Sequence, residues 1–388
     1  MYRIKTYDKL SQAGLNEFDR ERYAIADDMK DPDSILVRST PLHGEKFGDS
    51  LLAIVRVGAG YNTIPVDEMT KRGVAVFNCP GGNANAVKEM TIAAMIMMMR
   101  RALAAMDWMK ALPDNEIDYG GQIEKGKTRF TGPEIMGKTI GIVGVGAIGG
   151  RMAMACDDLG MKVLGYDPFL SHARLQELRQ YADFRSDLKE MLAECDVVTV
   201  HIPLNEENTA FIGREEIAAM KDGAYLINYA RGPVVDNDAV CDALDSGKLK
   251  GFATDFPTLR ELRRPDVFCT PHLASGSPEA EDNCSTMAAR QTIDYLENGN
   301  ITNSVNLPNV SFARADGARV CVIHENKIGM LGMMTDRVVR EGLNIENLVN
   351  KGRGGVAYTI MDFNGSVPET LAGDISAIDG VMKVRVIE

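Results

Sequence analysis

Lys138-Thr-Ile-Gly-Ile-Val-Gly-Val-Gly-Ala-Ile-Gly-Gly150 constrains the fold more than any other segment of the chain. A β-branched run ends in Gly144-x-Gly146-x-x-Gly149 and leads into a helix-compatible stretch, Arg151 to Leu159. Lys162-Val-Leu-Gly-Tyr166 reads as the next strand, with Asp167 at its end. Strand, glycine turn, helix, strand and acid follow the order that a dinucleotide-binding βαβ unit requires. Gly144 permits the tight turn, Gly146 lets a pyrophosphate approach the backbone, and Gly149 lets helix and sheet pack closely. The helix N-terminus offers unpaired N–H groups to the phosphates. Asp167 can bond an adenosine ribose and repels a 2′-phosphate, which favours NAD over NADP.

At 388 residues the chain is expected to form two or three domains. Its net charge of −12 argues against a nucleic-acid or acidic-membrane surface. The first residues lack an apolar signal core, and the longest apolar run, Met90 to Met99, is far short of the ~20 residues of a membrane span. Seven scattered cysteines without CxxC spacing read as reduced thiols, and so point to the cytoplasm. Five histidines without HxxxH or HExxH spacing argue against a metal site.

Strand-like and helix-like segments alternate. Residues 34–38, 52–56 and 72–77 read as strands, 84–103 as one long helix with core-filling methionines, and 107–132 as an irregular connection. Further strands are expected at 195–201, 224–228, 251–255 and 267–270, giving doubly wound, mainly parallel sheets. After turn chemistry at 298–309, residues 318–388 read as βαββαβ, a ferredoxin-like unit. The domain boundaries are placed at 1–88 with a returning 277–310, at 89–276, and at 318–388.

Val37-Arg-Ser-Thr40, Arg56-Val-Gly-Ala-Gly60, Asn78-Cys-Pro-Gly-Gly-Asn83, the glycine fingerprint, Tyr166-Asp-Pro168, Val200-His-Ile-Pro-Leu204, Asn228-Tyr-Ala-Arg-Gly232 and Thr270-Pro-His272 together resemble the D-2-hydroxyacid dehydrogenase family. Within that family they resemble the branch that oxidises 3-phospho-D-glycerate. The resemblance implies NAD-dependent oxidation to 3-phosphonooxypyruvate, the first step of L-serine biosynthesis, in a site between a substrate domain and a nucleotide domain. Residues 318–388 resemble an ACT regulatory domain.

Oxidising a 2-hydroxy acid needs a base for the hydroxyl proton and a cation for the carboxylate, with nicotinamide as hydride acceptor. His272 is the candidate base and Arg231 the candidate carboxylate ligand. The family also uses a glutamate beside the histidine. Counting from Asp255 that acid falls on Arg260, and Glu261 is the next residue and the only carboxylate of the loop. By resemblance, Ala147 and Ile148 lie at the pyrophosphate, His201 and Pro203 along the adenosine, Ala230 beside Arg231, and Asp255 at the carboxamide. Backbone N–H groups of Val57, Gly58 and Ala59 are candidates for an anion nest, and Arg38 and Arg56 for the substrate phosphate.

Other readings stay open at this point. They are a glyoxylate or hydroxypyruvate reductase, an erythronate 4-phosphate dehydrogenase, and a non-catalytic NAD-sensing corepressor. In the terminal unit, His324, Asn326 and Asn344 are candidates for an L-serine effector site. That unit is expected to expose one sheet face and an open edge, which a second copy would cover in a homodimer or homotetramer.

Overall fold

The structure, a computed structural model, describes residues 1–112, 119–205 and 207–388. Its chain divides into two compact units, Met1–Asn83 with Pro278–Glu388, and Ala84–Ser277. The unit boundaries therefore lie at 83/84 and 277/278 rather than at 88/89 and 276/277, and residues 318–388 pack within the first unit.

The first unit opens with five parallel strands: β1 (Tyr2–Thr6), β2 (Tyr23–Ala26), β3 (Ser34–Val37), β4 (Ala53–Arg56) and β5 (Ala75–Phe77), in the order β2-β1-β3-β4-β5. The second unit holds seven: β6 (Thr139–Val143), β7 (Lys162–Tyr166), β8 (Asp183–Phe184), β9 (Val197–Val200), β10 (Ala224–Asn228), β11 (Leu249–Thr254) and β12 (Val267–Cys269). They pair in parallel in the order β12-β11-β10-β9-β6-β7-β8. The chain reverses its direction of travel at β6, so the glycine turn that follows β6 lies at the topological switch point. Both sheet faces are covered: Ile140, Ile142 and Ile227 join one apolar cluster, while Val143, Val200 and Leu226 join another. The sheets are parallel and doubly wound, as the alternating pattern predicts.

Two expected elements differ. The helix from Ala84 stops at Met99, because Arg101 adopts a left-handed φ of 50°, and a second helix runs over Ala102–Lys110. The backbone of Gly132 crosses at the break, where a Cβ would lie 1.9 Å from the Met99 carbonyl oxygen. The segment expected to be irregular is largely helical, with helices at Ala102–Lys110 and Tyr119–Gly126 and a 3-10 turn at Lys127–Phe130. Residues 113–118 of that expected connection lie outside the described residues.

The terminal sheet is antiparallel: β13 (Arg319–Glu325), β14 (Ile345–Arg353), β15 (Val356–Phe363) and β16 (Val381–Ile387), ordered β14-β15-β13-β16. With helices Met330–Arg340 and Glu369–Ser376 it completes the expected βαββαβ order. The expectation of an open sheet face is not met. Val320, Val322, Met361 and Phe363 pack beneath the two helices, whereas Cys321, Ile323, Tyr358 and Ile360 join the core of the first five strands.

That second face is fastened by buried polar groups. Arg319, fully buried, pairs with Asp362 at 2.6 and 2.9 Å and donates to the Asn298 carbonyl at 2.7 Å. Arg385 donates to the carbonyls of Tyr295 and Leu296, and the Tyr358 hydroxyl to that of Gly299. These carbonyls lie at the end of the helix Pro278–Asn298 and just beyond it, where backbone donors run short, although Tyr295 also accepts from Gly299 N at 3.0 Å. What stays open is the β14 edge, exposed over most of its nine residues.

Candidate active site

In the second unit, the helix Ala147–Asp158 starts directly after the glycine turn. Gly144 has φ 84°, which a Cβ would strain, and a Cβ on Gly149 would lie 2.1 Å from the Gly144 carbonyl oxygen. A Cβ on Gly146 would instead meet no atom within 4 Å. The turn thus opens onto free space at the N–H groups of Ala147 and Ile148, which have no carbonyl behind them, a shape that fits a pyrophosphate. Asp167 braces the turn: Oδ2 accepts from Val145 N at 2.9 Å and Oδ1 from Phe169 N at 3.0 Å. His201 bonds the Thr199 hydroxyl through Nε2 at 3.0 Å, while Nδ1 is enclosed without a hydrogen-bond partner among the described residues. Burial pushes His201 down to about 3, so its imidazole is neutral near pH 7. Pro203 is exposed beside it, its carbonyl accepting from Asn208 Nδ2 at 3.0 Å.

Arg231 follows β10, and the buried Asn228 holds its loop. Asn228 Nδ2 donates to the Arg231 carbonyl at 2.9 Å, and its Oδ1 accepts from Ala230 N at 3.1 Å. The guanidinium bonds the Ala230 carbonyl at 2.6 Å, and burial lowers its pKa from the ordinary value. His272 ends the Thr-Pro-His turn with φ 51°, a left-handed conformation uncommon for a side-chain-bearing residue. Its ring rests on Phe256, centroids 4.8 Å apart, and Phe256 also lies against Gly232, where a Cβ would be 3.1 Å from Phe256 Cβ. One aromatic ring therefore supports both loops.

Asp255, which the resemblance puts at the carboxamide, is engaged within the chain by three donors. It is 4% exposed, and its oxygens accept from the Thr270 hydroxyl, from Leu273 N at 3.0 Å and from Ala274 N at 2.8 Å. These bonds fix the turn on both sides of His272. Glu261 is fully buried rather than a surface charge. Its Oε2 accepts from Thr258 N at 2.6 Å and from the Thr258 hydroxyl at 2.9 Å, in the capping box of helix Leu259–Leu262. Its Oε1 is buried without a hydrogen-bond partner among the described residues. Arg260, at the position where the family pattern expects an acid, points outward to Asp238, Asp242 and Asp245.

In the first unit, Arg38 and Arg56 stand at the ends of the neighbouring strands β3 and β4. Both charges reach the buried Cys284 thiol: burial raises its pKa, Arg56 and Arg38 oppose that, and Glu281 adds to it. Two of the three N–H groups of the expected anion nest at 57–59 are taken up within the chain. Val57 N donates to the Val37 carbonyl and Gly58 N to the Arg56 carbonyl, while Ala59 supplies its carbonyl to Asn78 Nδ2 at 2.6 Å. Gly58 has φ 145°, and a Cβ there would lie 1.5 Å from Arg56 Nη1, so the guanidinium folds over this glycine. A nest does exist one strand away, and the chain fills it itself: Arg38, Ser39 and Thr40 N–H groups converge on Asp8 Oδ2 at 2.9, 2.8 and 3.2 Å.

In the terminal unit, His324 is buried with both ring nitrogens engaged, by the Glu325 carbonyl and the Thr359 hydroxyl, and is no ligand. Asn326 follows β13 and bonds the Gly354 carbonyl, whereas Asn344 precedes β14 beside Phe363. Within one chain these asparagines stand at opposite ends of the sheet, roughly 25 Å apart by strand rise.

Residues 92–274 match the family model described as D-isomer specific 2-hydroxyacid dehydrogenase, NAD binding domain. The D-3-phosphoglycerate dehydrogenase of Haemophilus influenzae is 31% identical over 403 residues, covering 98% of this chain and 94% of that protein. The chain belongs to the D-isomer specific 2-hydroxyacid dehydrogenase family. The D-3-phosphoglycerate dehydrogenase of Escherichia coli K12 is 30% identical over 99% of this chain and 95% of its own. Among solved structures, the NAD+-bound 3-phosphoglycerate dehydrogenase of Entamoeba histolytica superposes with TM-score 0.63 at 24% identity, covering 79% of this chain and 98% of that one. As a 2-hydroxyacid dehydrogenase the chain is an NAD-dependent oxidoreductase. Sequence reading missed Asp8, Asn228 and Phe256 in this dehydrogenase. Of these only Asn228, a polar residue closing an apolar strand, left a signal.

Proposed function

We propose that the chain oxidises 3-phospho-D-glycerate to 3-phosphonooxypyruvate with NAD, opening L-serine biosynthesis in the cytoplasm. The carrying observation is the pairing of near-full-length similarity to proteins of that name with two arginines, Arg38 and Arg56, gathered at adjacent strand ends. Nicotinamide, when bound, accepts the C2 hydride. His272 takes the hydroxyl proton, and the left-handed turn fixed by Asp255 points it for that task. Arg231 holds the carboxylate and polarises the C2 oxygen, its rigid fork suited to both. Among the described residues Glu261 keeps one carboxylate oxygen without a donor, the acceptor this reading assigns to the imidazole N–H of His272. Arg38 and Arg56 bind the phosphate. Asp167 favours NAD at least tenfold over NADP.

The terminal unit is read as an ACT-like regulatory domain that binds L-serine between two copies. Antiparallel pairing of two β14 edges sets Asn344 of one copy beside Asn326 of the other, in a homodimer or homotetramer. Turnover of phosphoglycerate, glycerate, glyoxylate and erythronate 4-phosphate, each with and without millimolar L-serine, tests both parts. Phosphoglycerate is expected to give the highest kcat/KM, and serine to lower its rate. A preference for glyoxylate overturns the first part, and serine-insensitive initial rates overturn the second.

A further inference from the structure

Arg38 already has an anionic partner. Glu281, in the first turn of helix Pro278–Asn298, holds its Nη2 at 2.7 Å, with side-chain exposures of 37% for Arg38 and 42% for Glu281. Neither partner is free to drift. The Arg38 backbone is pinned by Asp8, and the start of the helix is tied to residues 11–14: the Ser11 hydroxyl bonds Asp282, and Gly14 packs on the Ser285 backbone, where a Cβ would lie 2.3 Å away. The two side chains can part without moving backbone, which frees the Arg38 guanidinium for another partner. A half-exposed ion pair is worth little, so an incoming anion can exchange with it. A phosphate dianion offers more charge and more acceptor oxygens than the carboxylate it displaces.

We propose that Glu281 is a specificity-determining residue: it serves as an internal counter-ion that holds Arg38 until a substrate phosphate takes its place. A substrate without a phosphate leaves the pair intact and neither gains nor loses by it. Glu281 thereby sets the affinity for phosphorylated substrates without touching the reacting atoms. This inference rests on the reading of Arg38 as a phosphate ligand.

Steady-state kinetics of the full-length protein test it with Glu281→Gln, Arg38→Ala, the double variant and Glu279→Gln, the last removing an acid from the same helical turn. Glu281→Gln is expected to lower KM for 3-phosphoglycerate about two- to sixfold, the range of an exposed ion pair, with kcat little changed and glycerate kinetics unchanged. In the Arg38→Ala background the same substitution is expected to have no effect. An unchanged KM, an equal fall for glycerate, or full reproduction of the effect by Glu279→Gln overturns the inference. If Arg38→Ala alone leaves the KM for phosphoglycerate unchanged, the phosphate assignment itself fails. A raised KM in Arg38→Ala beside an inert Glu281→Gln defeats the counter-ion role alone.

Discussion

The two units hold their functional side chains by different means. In the second, Arg231 and His272 ride on turns fixed by buried groups, Asn228 and Asp255, whose bonds run to backbone N–H and carbonyl groups. In the first, Arg38 and Arg56 end their strands in half-open surroundings, one held by an exchangeable carboxylate, the other folded over Gly58. Proton and hydride transfer demand a geometry that is already set, because misplacement by an ångström costs orders of magnitude. Phosphate binding demands charge that can be given up and regained. On the proposed assignment, rigidity is concentrated where bonds would break, and exchange is tolerated where the substrate would merely be held.

Substitutions can break this contrast at several depths. The largest effect is expected for His272→Ala, with kcat lower by about 10²–10⁴ and NADH binding nearly intact, and for Arg231→Ala, with kcat and KM both damaged. Pre-steady-state turnover with a separate NADH titration distinguishes the two, and near-normal turnover in either removes that residue from the mechanism. Arg38→Ala or Arg56→Ala is expected to raise the phosphoglycerate KM about 10- to 100-fold while sparing glycerate, the size expected for hydrogen-bonded charge contacts. Equal loss on both substrates makes the arginines structural.

Asp255→Asn tests preorganisation more directly. It keeps the size but weakens three hydrogen bonds, and a loss of roughly tenfold in kcat is expected with the phosphoglycerate KM little changed. If KM rises while kcat holds, Asp255 serves binding rather than the His272 turn. Glu261→Gln is expected to cost about tenfold and to shift the acid limb of the kcat/KM profile to lower pH, since the imidazolium loses an anionic partner. An unmoved profile confines Glu261 to capping its helix.

The smallest effect belongs to Asp8. Burial raises its pKa, yet the N–H groups of Ser39, Arg38 and Thr40 outweigh that and hold it below 3.8. A lowered folded pKa contributes stability above the unfolded value and loses it as the pH falls through the folded one. Denaturant titrations of wild type and Asp8→Asn should differ by a constant, small amount above about pH 4, the difference shrinking in more acidic solution. A gap that widens on acidification contradicts the structure at this turn.

Much of the second unit could be read from the chain because its chemistry is local: three glycines, two strands and an acid within thirty residues fix a turn and a helix end. The parallel sheets and the terminal βαββαβ order followed from alternation alone. Strands β1 and β2 were missed, since Tyr2–Thr6 and Tyr23–Ala26 are short and partly polar, and gain their place only by pairing with each other and with β3. The turn-holding roles of Asp255 and Asp8 went unseen for a related reason. A carboxylate's role depends on which N–H groups converge on it, and those belong to turns elsewhere in the chain. The open face expected of the terminal sheet failed likewise, because nothing in 318–388 announces that Arg319 and Arg385 reach the end of an earlier helix.

That reach gives the molecule an order of assembly. The helix Pro278–Asn298 packs against the strands made first, yet its terminal carbonyls wait for Arg319, Tyr358 and Arg385. On the ribosome, residues 84–277 can complete their own unit as soon as they emerge, whereas residues 1–83, though synthesised earlier, stay unfinished until β16 arrives. Of the two units the one begun earlier is completed later, and the segment that closes it is the one read here as regulatory.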